Sequence, residues 1–377
     1  MPRGLTAERV RQDVDVVARA GLDLETFLEE AVESVGRAVP WVGACLATHD
    51  PGTHLLTSAR KYGAISGQSQ HDHAFGLIEY GTVEPTAFVE LARAEVPAAG
   101  VHLVHEGDVA RSGRMSDLMV PHFGFGDEAR LVFRDRDQNW GGMALFRGAD
   151  EQPFDETEIA FLASLSEQFA RGVRTGMLSR LADAPPPTEP TGPAVLIVGS
   201  DNEIVQMSLG AEARIADLLG GSVGGDPLAP VSALVGAARR YARGEAAAPP
   251  RSRIRGTSGL WLVLYASPLT TLADRDGDVV VTIEEARPPE IVALVVAAFG
   301  LTGRERDVTQ LVLQGVDTKE IATTLHLSAY TVQDHLKAVF GKADVRSRRE
   351  LIARVFFDQY VPRMGGELGA SGWFAQA

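Results

Sequence analysis

A chain of 377 residues, 45% hydrophobic and 23% charged, is long enough for two or three globular domains with ordinary cores. Its apolar runs stop short of the ~20 residues of a membrane span, no secretory h-region opens it, and Cys45 is its single cysteine, which together speak against a membrane protein, a disulfide scaffold or a thiolate metal cluster and predict a cytoplasmic location. The net charge of −14 argues against nonspecific nucleic-acid binding by the chain as a whole.

Residues 6–20 predict a helix with Val10, Val14 and Val17 on one stripe, and residues 24–39 a second with Phe27, Leu28, Ala31, Val35 and Val39, ended by Pro40. Residues 41–48 and 55–62 read as strands around the turn Asp50-Pro51-Gly52. Residues 63–125 carry no clear period; within them 86–94 predicts a helix started by Pro85. Residues 129–133 and 140–146 read as strands joined by a charged tip. Phe154, Ile159, Leu162, Leu165, Phe169 and Val173 then form one long helical stripe, with Asp155 and Glu156 at its positive end.

The prolines of 184–193 predict an extended linker. Beyond it come a strand (194–199), a turn, a partner strand (204–207), helices at 211–219 and 231–243, and strands at 251–255, 260–266 and 278–284. Gly220-Gly221 closes the first of those helices. Arg287-Pro288-Pro289 marks the next boundary.

In the C-terminal part, Thr302-Gly303-Arg304-Glu305 is a capping box, and Val308, Leu311 and Val312 give a buried stripe stopped by Gly315. Thr318 is read as the cap of a short helix holding Ile321, Ala322 and Leu325, followed by the turn His326-Leu327. Ser328 caps the next helix, whose Val332, Leu336, Val339 and Phe340 face a core while Tyr330, Gln333, Asp334 and Lys337 face outward. Short helix, tight turn and second helix read as a helix-turn-helix. Ser347-Arg348-Arg349-Glu350 is a second capping box, opening a helix with Leu351, Ile352, Val355 and Phe356 on one side. Residues 301–363 hold ten Lys/Arg against eight Asp/Glu, so local charge does not oppose phosphate contact.

The run Leu301 to Arg306, then Gly315, Lys319-Glu320-Ile321-Ala322, Leu327-Ser328, Thr331-Val332, His335-Leu336, Phe340, Lys342 and Val345 to Arg348 resembles the LuxR-type DNA-binding domain. The resemblance implies a four-helix all-α unit over 296–361 that binds double-stranded DNA as a homodimer, with its third helix in the major groove. It implies base contact by Gln333, Asp334 and Lys337, and backbone contact by Thr331, Lys319, Arg346, Ser347 and Arg348. Ser328 and Tyr330 at the start of that helix complete the DNA-facing set, and the last helix, through Leu351, Ile352 and Val355, is expected to pair the protomers. Ala343-Asp344 departs from the Leu-Gly usual in the family.

Trp140-Gly141-Gly142-Met143-Ala144-Leu145, followed by Phe154 and its helix, resembles a GAF domain over about 20–178. Two strands, helices and three further strands from Val195 onward resemble a PAS domain. The expected organisation is therefore multidomain α+β: a GAF-like α/β sensor domain (1–182), a linker (183–193), a PAS-like α+β domain (194–286), the LuxR-type unit (296–361) and a disordered tail (362–377). A small-molecule ligand in either sensor-like domain is compatible with this; no cofactor, metal or membrane is called for.

Other polar residues read as structural. His71-Asp72-His73 and His102 with His105 lack a metal-site register and are expected in a solvated loop. His335 reads as a packed histidine bonded to Glu305 or a carbonyl. Cys45 reads as a small buried residue; one cysteine does not suffice for a sulfoxide reductase, and 194–286 has none for a flavin photoreceptor. Phosphate-cradling loops, kinase motifs, a nucleophile with a placed base and a receiver's acidic pair are absent, so catalysis is not expected. The competing readings are a DNA-silent interaction protein and a GAF-domain enzyme.

Overall fold

The structure is a computed structural model that describes residues 4–136, 138–178, 192–218, 226–270 and 277–356. Helices α1 (Gly4–Arg19) and α2 (Leu24–Gly36) lead into strands β1 (Gly43–His49) and β2 (Leu56–Gly63). Asp23 caps α2 by accepting from Thr26 N at 3.0 Å. Then follow α3 (Asp72–Gly81), α4 (Phe88–Leu91), β3 (Ala98–Gly100), α5 (Val101–Val104), a π turn at Met115–Met119, α6 (Val120–Phe123), β4 (Phe125–Asp135), β5 (Gln138–Gly148), α7 (Glu156–Ala163) and α8 (Ser166–Leu178). The sheet is antiparallel in the order β2-β1-β5-β4-β3. Helices α1, α2 and α8 pack together, and Phe169 of α8 meets Phe27 of α2 edge-on at 5.9 Å and stacks on Phe133 of β4 at 4.7 Å.

Three local expectations change. The helix expected over 86–94 is only the four residues of α4, because Thr86 is buried with its carbonyl taken by Arg130 at 2.8 Å. The long stripe from Phe154 is two helices: Ser164 ends α7, and the Ser166 hydroxyl donates to Val132 O at 2.7 Å while accepting from Arg134 N at 2.9 Å. Leu165 stays fully buried across this break, which keeps the apolar stripe continuous while the helix is not. Asp72 and His73, expected in a loop, open α3.

Beneath α3 and β4 lies a buried ionic cluster. Arg114 meets Glu84 and Glu128 at 3.0 Å each and Glu79 at 3.3 Å; Arg130 meets Glu79 at 2.9 Å and lies 3.6 Å from the centre of the Phe88 ring. Two guanidinium groups answering three carboxylates let these charges leave water.

The second sheet is built from β6 (Ala194–Val198), β7 (Ile204–Met207), α9 (Ala211–Asp217), α10 (Ala229–Ala242), β8 (Arg251–Arg255), β9 (Trp261–Pro268) and β10 (Val279–Glu285), in the order β7-β6-β10-β9-β8. Counted from its own first strand, each sheet has the same strand order. The two sheets belong to one compact unit, Met1–Glu285. Leu55, Leu56 and Tyr80 of the first share a core with Val231, Leu234 and Val235 on α10. Helix α3 lies against α10 at glycines: a Cβ on Gly76 would come within 3.1 Å of Ala233 N, and one on Gly236 within 2.9 Å of Gly81 N. The expected linker at 183–193, Gly220-Gly221 and the tail at 362–377 fall wholly or mostly outside the described residues.

The C-terminal unit, Ala286–Ala377, holds five described helices: α11 (Pro288–Ala298), α12 (Gly303–Leu313), α13 (Thr318–Thr324), α14 (Ala329–Lys342) and α15 (Arg348–Phe356). Pro288-Pro289, read from the sequence as a separator, forms the first turn of α11, where a missing N–H costs nothing. The unit thus begins before residue 296, and α11 contacts α15.

Candidate nucleic-acid interface

Three helices of the C-terminal unit, α12, α13 and α14, are started by a capping side chain. Thr302 accepts from Glu305 N at 3.3 Å, and the Glu305 carboxylate accepts from Thr302 N at 2.7 Å, the predicted box that starts α12. Among the described residues no hydrogen bond joins Glu305 to His335, one of the two partners expected for that histidine; Lys342 at the end of α14 donates to Glu305 at 2.6 Å. Burial pushes the Glu305 carboxyl up, but the bonds from Lys342 and Thr302 outweigh it and hold the group below its usual range.

The cap of α13 is Asp317, not Thr318. Its carboxylate accepts from Lys319 N at 2.8 Å and Glu320 N at 2.9 Å, two orphan donors that one hydroxyl would not satisfy together. Those bonds, Glu320's foremost, lower the Asp317 carboxyl. Ser328 caps α14 as predicted, accepting from Thr331 N at 3.0 Å.

Three of these helices end alike. Gly315, His326 and Asp344 take left-handed φ values of 86°, 55° and 51°. After each, the next N–H reaches five residues back: Val316 to Leu311 O at 3.0 Å, Leu327 to Ala322 O at 2.8 Å, Val345 to Phe340 O at 3.0 Å. The Ala343-Asp344 departure therefore keeps a closed turn, with Ala343 buried and Asp344 in a conformation that glycine adopts freely.

These ends hold α13 and α14 over one interior. Ile321 and Ala322 are buried with Val332, Leu336 and Val339, alongside Val308 and Val312 of α12. The opposite face of α14 is left to solvent: Tyr330 is 75% exposed, and Gln333, Asp334 and Lys337 are exposed beside it. Gln333 reaches Thr318 Oγ1 at 3.5 Å, and Lys337 stands 3.7 Å from Asp334, an exposed pair that water competes for. Lys319 on α13 and Ser328 are also exposed, and Thr331 is half-buried with its hydroxyl 2.8 Å from that of Ser328.

The remaining predicted residues divide. Arg346 is exposed, and its N–H donates to Glu350 at 2.8 Å. Ser347 accepts from Glu350 N at 3.2 Å, so the second box is displaced by one residue on its carboxylate side. Arg348 donates to the carbonyls of Val312, at 3.4 Å, and Val316, closing the end of α12. Leu351 and Val355 are buried inside this unit, so of the three residues expected to pair protomers only Ile352 keeps part of its surface. The roles of Arg348 and Lys342 as fasteners were not legible in the sequence, since both look like any surface cation.

The exposed face offers an amide, a carboxylate, an ammonium and a phenol on one helix, with further hydroxyl and ammonium groups at its N-terminal end. These are the donors and acceptors that read base edges and phosphates.

Residues 300–355 match the model of bacterial regulatory proteins of the LuxR family. The spore germination protein GerE of Bacillus subtilis is 38% identical over 55 residues, 15% of this chain and 74% of that protein. The monoamine regulon transcriptional regulator of Klebsiella aerogenes is 39% identical over 56 residues, 15% of this chain and 25% of its own. The transcriptional regulatory protein DesR of Bacillus subtilis is 41% identical over 54 residues, 14% and 27% respectively. The chain spans 34% and 25% of the length of the first relatives it matches, so those likenesses concern its C-terminal unit alone. A sensor region of a sensor histidine kinase aligns at a TM-score of 0.18 and 15% identity over 46% of this chain and 69% of its own, too low to bear on the fold. With most of GerE covered by a helix-turn-helix of this geometry, the chain belongs to the LuxR family of bacterial regulatory proteins.

Proposed function

We propose that the protein is a transcription regulator that binds double-stranded DNA by sequence, through α14 in the major groove. The observation that carries this reading is the division of α14 into a buried apolar stripe and an exposed face of Tyr330, Gln333, Asp334 and Lys337. In this reading Lys337 donates to guanine O6 or N7 and Gln333 makes two bonds to adenine. Lys319, Arg346 and the Ser328–Thr331 end of α14 hold the phosphates. Asp334 accepts from cytosine N4 once Lys337 turns from it to a base.

The first unit is read as a GAF-like domain followed by a PAS-like one. What supports this is that each sheet has five strands in the same spatial order, with two helices between its second and third strands. A signal received there would change how two C-terminal units of a dimer are spaced, and only matched half-site spacing engages both recognition helices. The test is a gel shift with the protein's own promoter DNA against a scrambled duplex. Wild-type chain prefers the promoter, and the double variant Gln333→Ala, Lys337→Ala loses the preference. Equal binding of both duplexes by wild type defeats the reading.

A further inference from the structure

The first sheet carries a mainly apolar cavity with about 50 Å³ of room for the centres of water-sized molecules, several times what a single water needs. Its wall is mainly aromatic and aliphatic: Phe75 of α3, Phe88, Phe123, Phe146 of β5, Leu118 and Met119. The polar side chains that reach it are already engaged by the protein. Lys61 donates to the Asp72 carboxylate and to the Gln68 carbonyl, and Asp226 N donates to Asp72 at 3.3 Å. The Tyr80 hydroxyl lies 3.2 Å from His49 Nε2, and the other nitrogen of that ring is 2.9 Å from the Asn139 amide. His71 stacks on His122 with ring centres 4.1 Å apart; burial, with His122 and Lys61 nearby, lowers its affinity for a proton. Burial pushes the Cys45 thiol up to about 11, so it faces the cavity uncharged.

A wall whose cation and anion neutralise each other gives an ionised ligand no counter-charge for the hydration it would surrender. An apolar molecule surrenders little and gains contact with four phenyl rings. We propose that this cavity binds an uncharged, largely apolar small molecule of the aromatic or medium-chain aliphatic class, and that the second sheet completes the site. Ala229, the first residue of α10, is part of the lining, and the Asp226 amide holds the Asp72 end of the Lys61 pair. Helix α3 carries Asp72 at the cavity and, one turn on, Gly76 against Ser232 and Ala233 of α10. Occupancy therefore bears on the helix pair that joins the two sheets. The consequence for DNA rests on the regulator reading above; the binding itself does not.

The experiment titrates the full chain with the neutral fluorophore N-phenylnaphthylamine, with decanol, decanoate and decylammonium as competitors. Fluorescence is expected to rise to saturation, decanol to displace the probe, and the two ions to compete at least about tenfold less well. Ala144→Phe and, on a different wall, Leu118→Trp fill the space and should each weaken binding by about tenfold or more while thermal unfolding remains cooperative. No saturable binding, equal displacement by the ions, or unchanged binding in a folded filled variant overturns the proposal. Promoter DNA shifted by a chain that does not take up the probe sinks the cavity proposal alone; probe uptake by a chain that leaves DNA unshifted sinks the regulator reading alone.

Discussion

Asp50, at the end of β1, and Arg253, on β8, join the two sheets by a buried two-pronged ion pair: Arg253 Nε donates to Asp50 Oδ2 at 2.7 Å and its terminal nitrogen to Oδ1 at 2.5 Å. Arg253 N donates to the same carboxylate at 2.9 Å. Replacing Asp50 with Ala leaves a buried guanidinium and a strand N–H without that acceptor. The expected loss is about 3–5 kcal/mol in the unfolding of the first unit. Denaturant unfolding checks this, and Asp50→Ala combined with Arg253→Met should cost less than the sum of the single changes.

The α3–α10 crossing predicts a steric penalty. A Cβ on Gly236 would sit 2.9 Å from Gly81 N and 3.2 Å from Leu77 O, both backbone atoms that cannot swing aside. Gly236→Val should destabilise the first unit by about 1–3 kcal/mol, read in the same denaturant series. Val at Gly113, where a Cβ meets open space, is the control and should show no such clash.

Glu305 makes the C-terminal unit acid-sensitive. Its folded carboxyl holds its proton less tightly than a free glutamate, so the stabilisation is present above the free-glutamate pKa and disappears as pH falls through the lower folded one. Lys342→Met removes the foremost of the favourable bonds to a nearly buried carboxylate. The protection of α12 amides against hydrogen exchange, corrected for intrinsic rates, should then be lost at a higher pH than in wild type. At neutral pH the cost should be about 1 kcal/mol, because Lys342 itself is partly exposed.

His326 and Asp344 occupy left-handed positions that glycine fills without strain. His326→Gly and Asp344→Gly should each stabilise the unit by about 0.5–1 kcal/mol, seen as slower α13 and α14 hydrogen exchange.

The helix-turn-helix was legible because its signals are local. Thr302 and Ser328 cap within three residues, and Val332, Leu336 and Val339 share a face by period alone. Asp317 was missed as a cap because Thr318 beside it is an equally good cap by residue type; only geometry shows the carboxylate reaching two N–H groups. The break at Ser164–Leu165 was invisible since Leu165 continues the stripe while Ser166 is fastened to β4, over thirty positions away in sequence. Residues 63–125 resisted reading for a related reason. Arg114, Glu79 and Glu84 are buried there in mutual pairs with Arg130 and Glu128, so the rule that charge marks the surface fails in that stretch. The burial of Leu351 and Val355 likewise depends on packing inside the C-terminal unit, which no helical period foretells.

The central claim is that the exposed face of α14 lies on nucleotides. Footprinting of the full chain on its promoter region tests it most directly, with Tyr330, Gln333 and Lys337 replaced together by Ala as the comparison, because these side chains are exposed and their loss leaves the core of the unit intact. The account predicts two protected half-sites about one helical turn apart for wild type and none for the triple variant. Unprotected DNA with a folded wild-type chain, or the same footprint from both proteins, contradicts it.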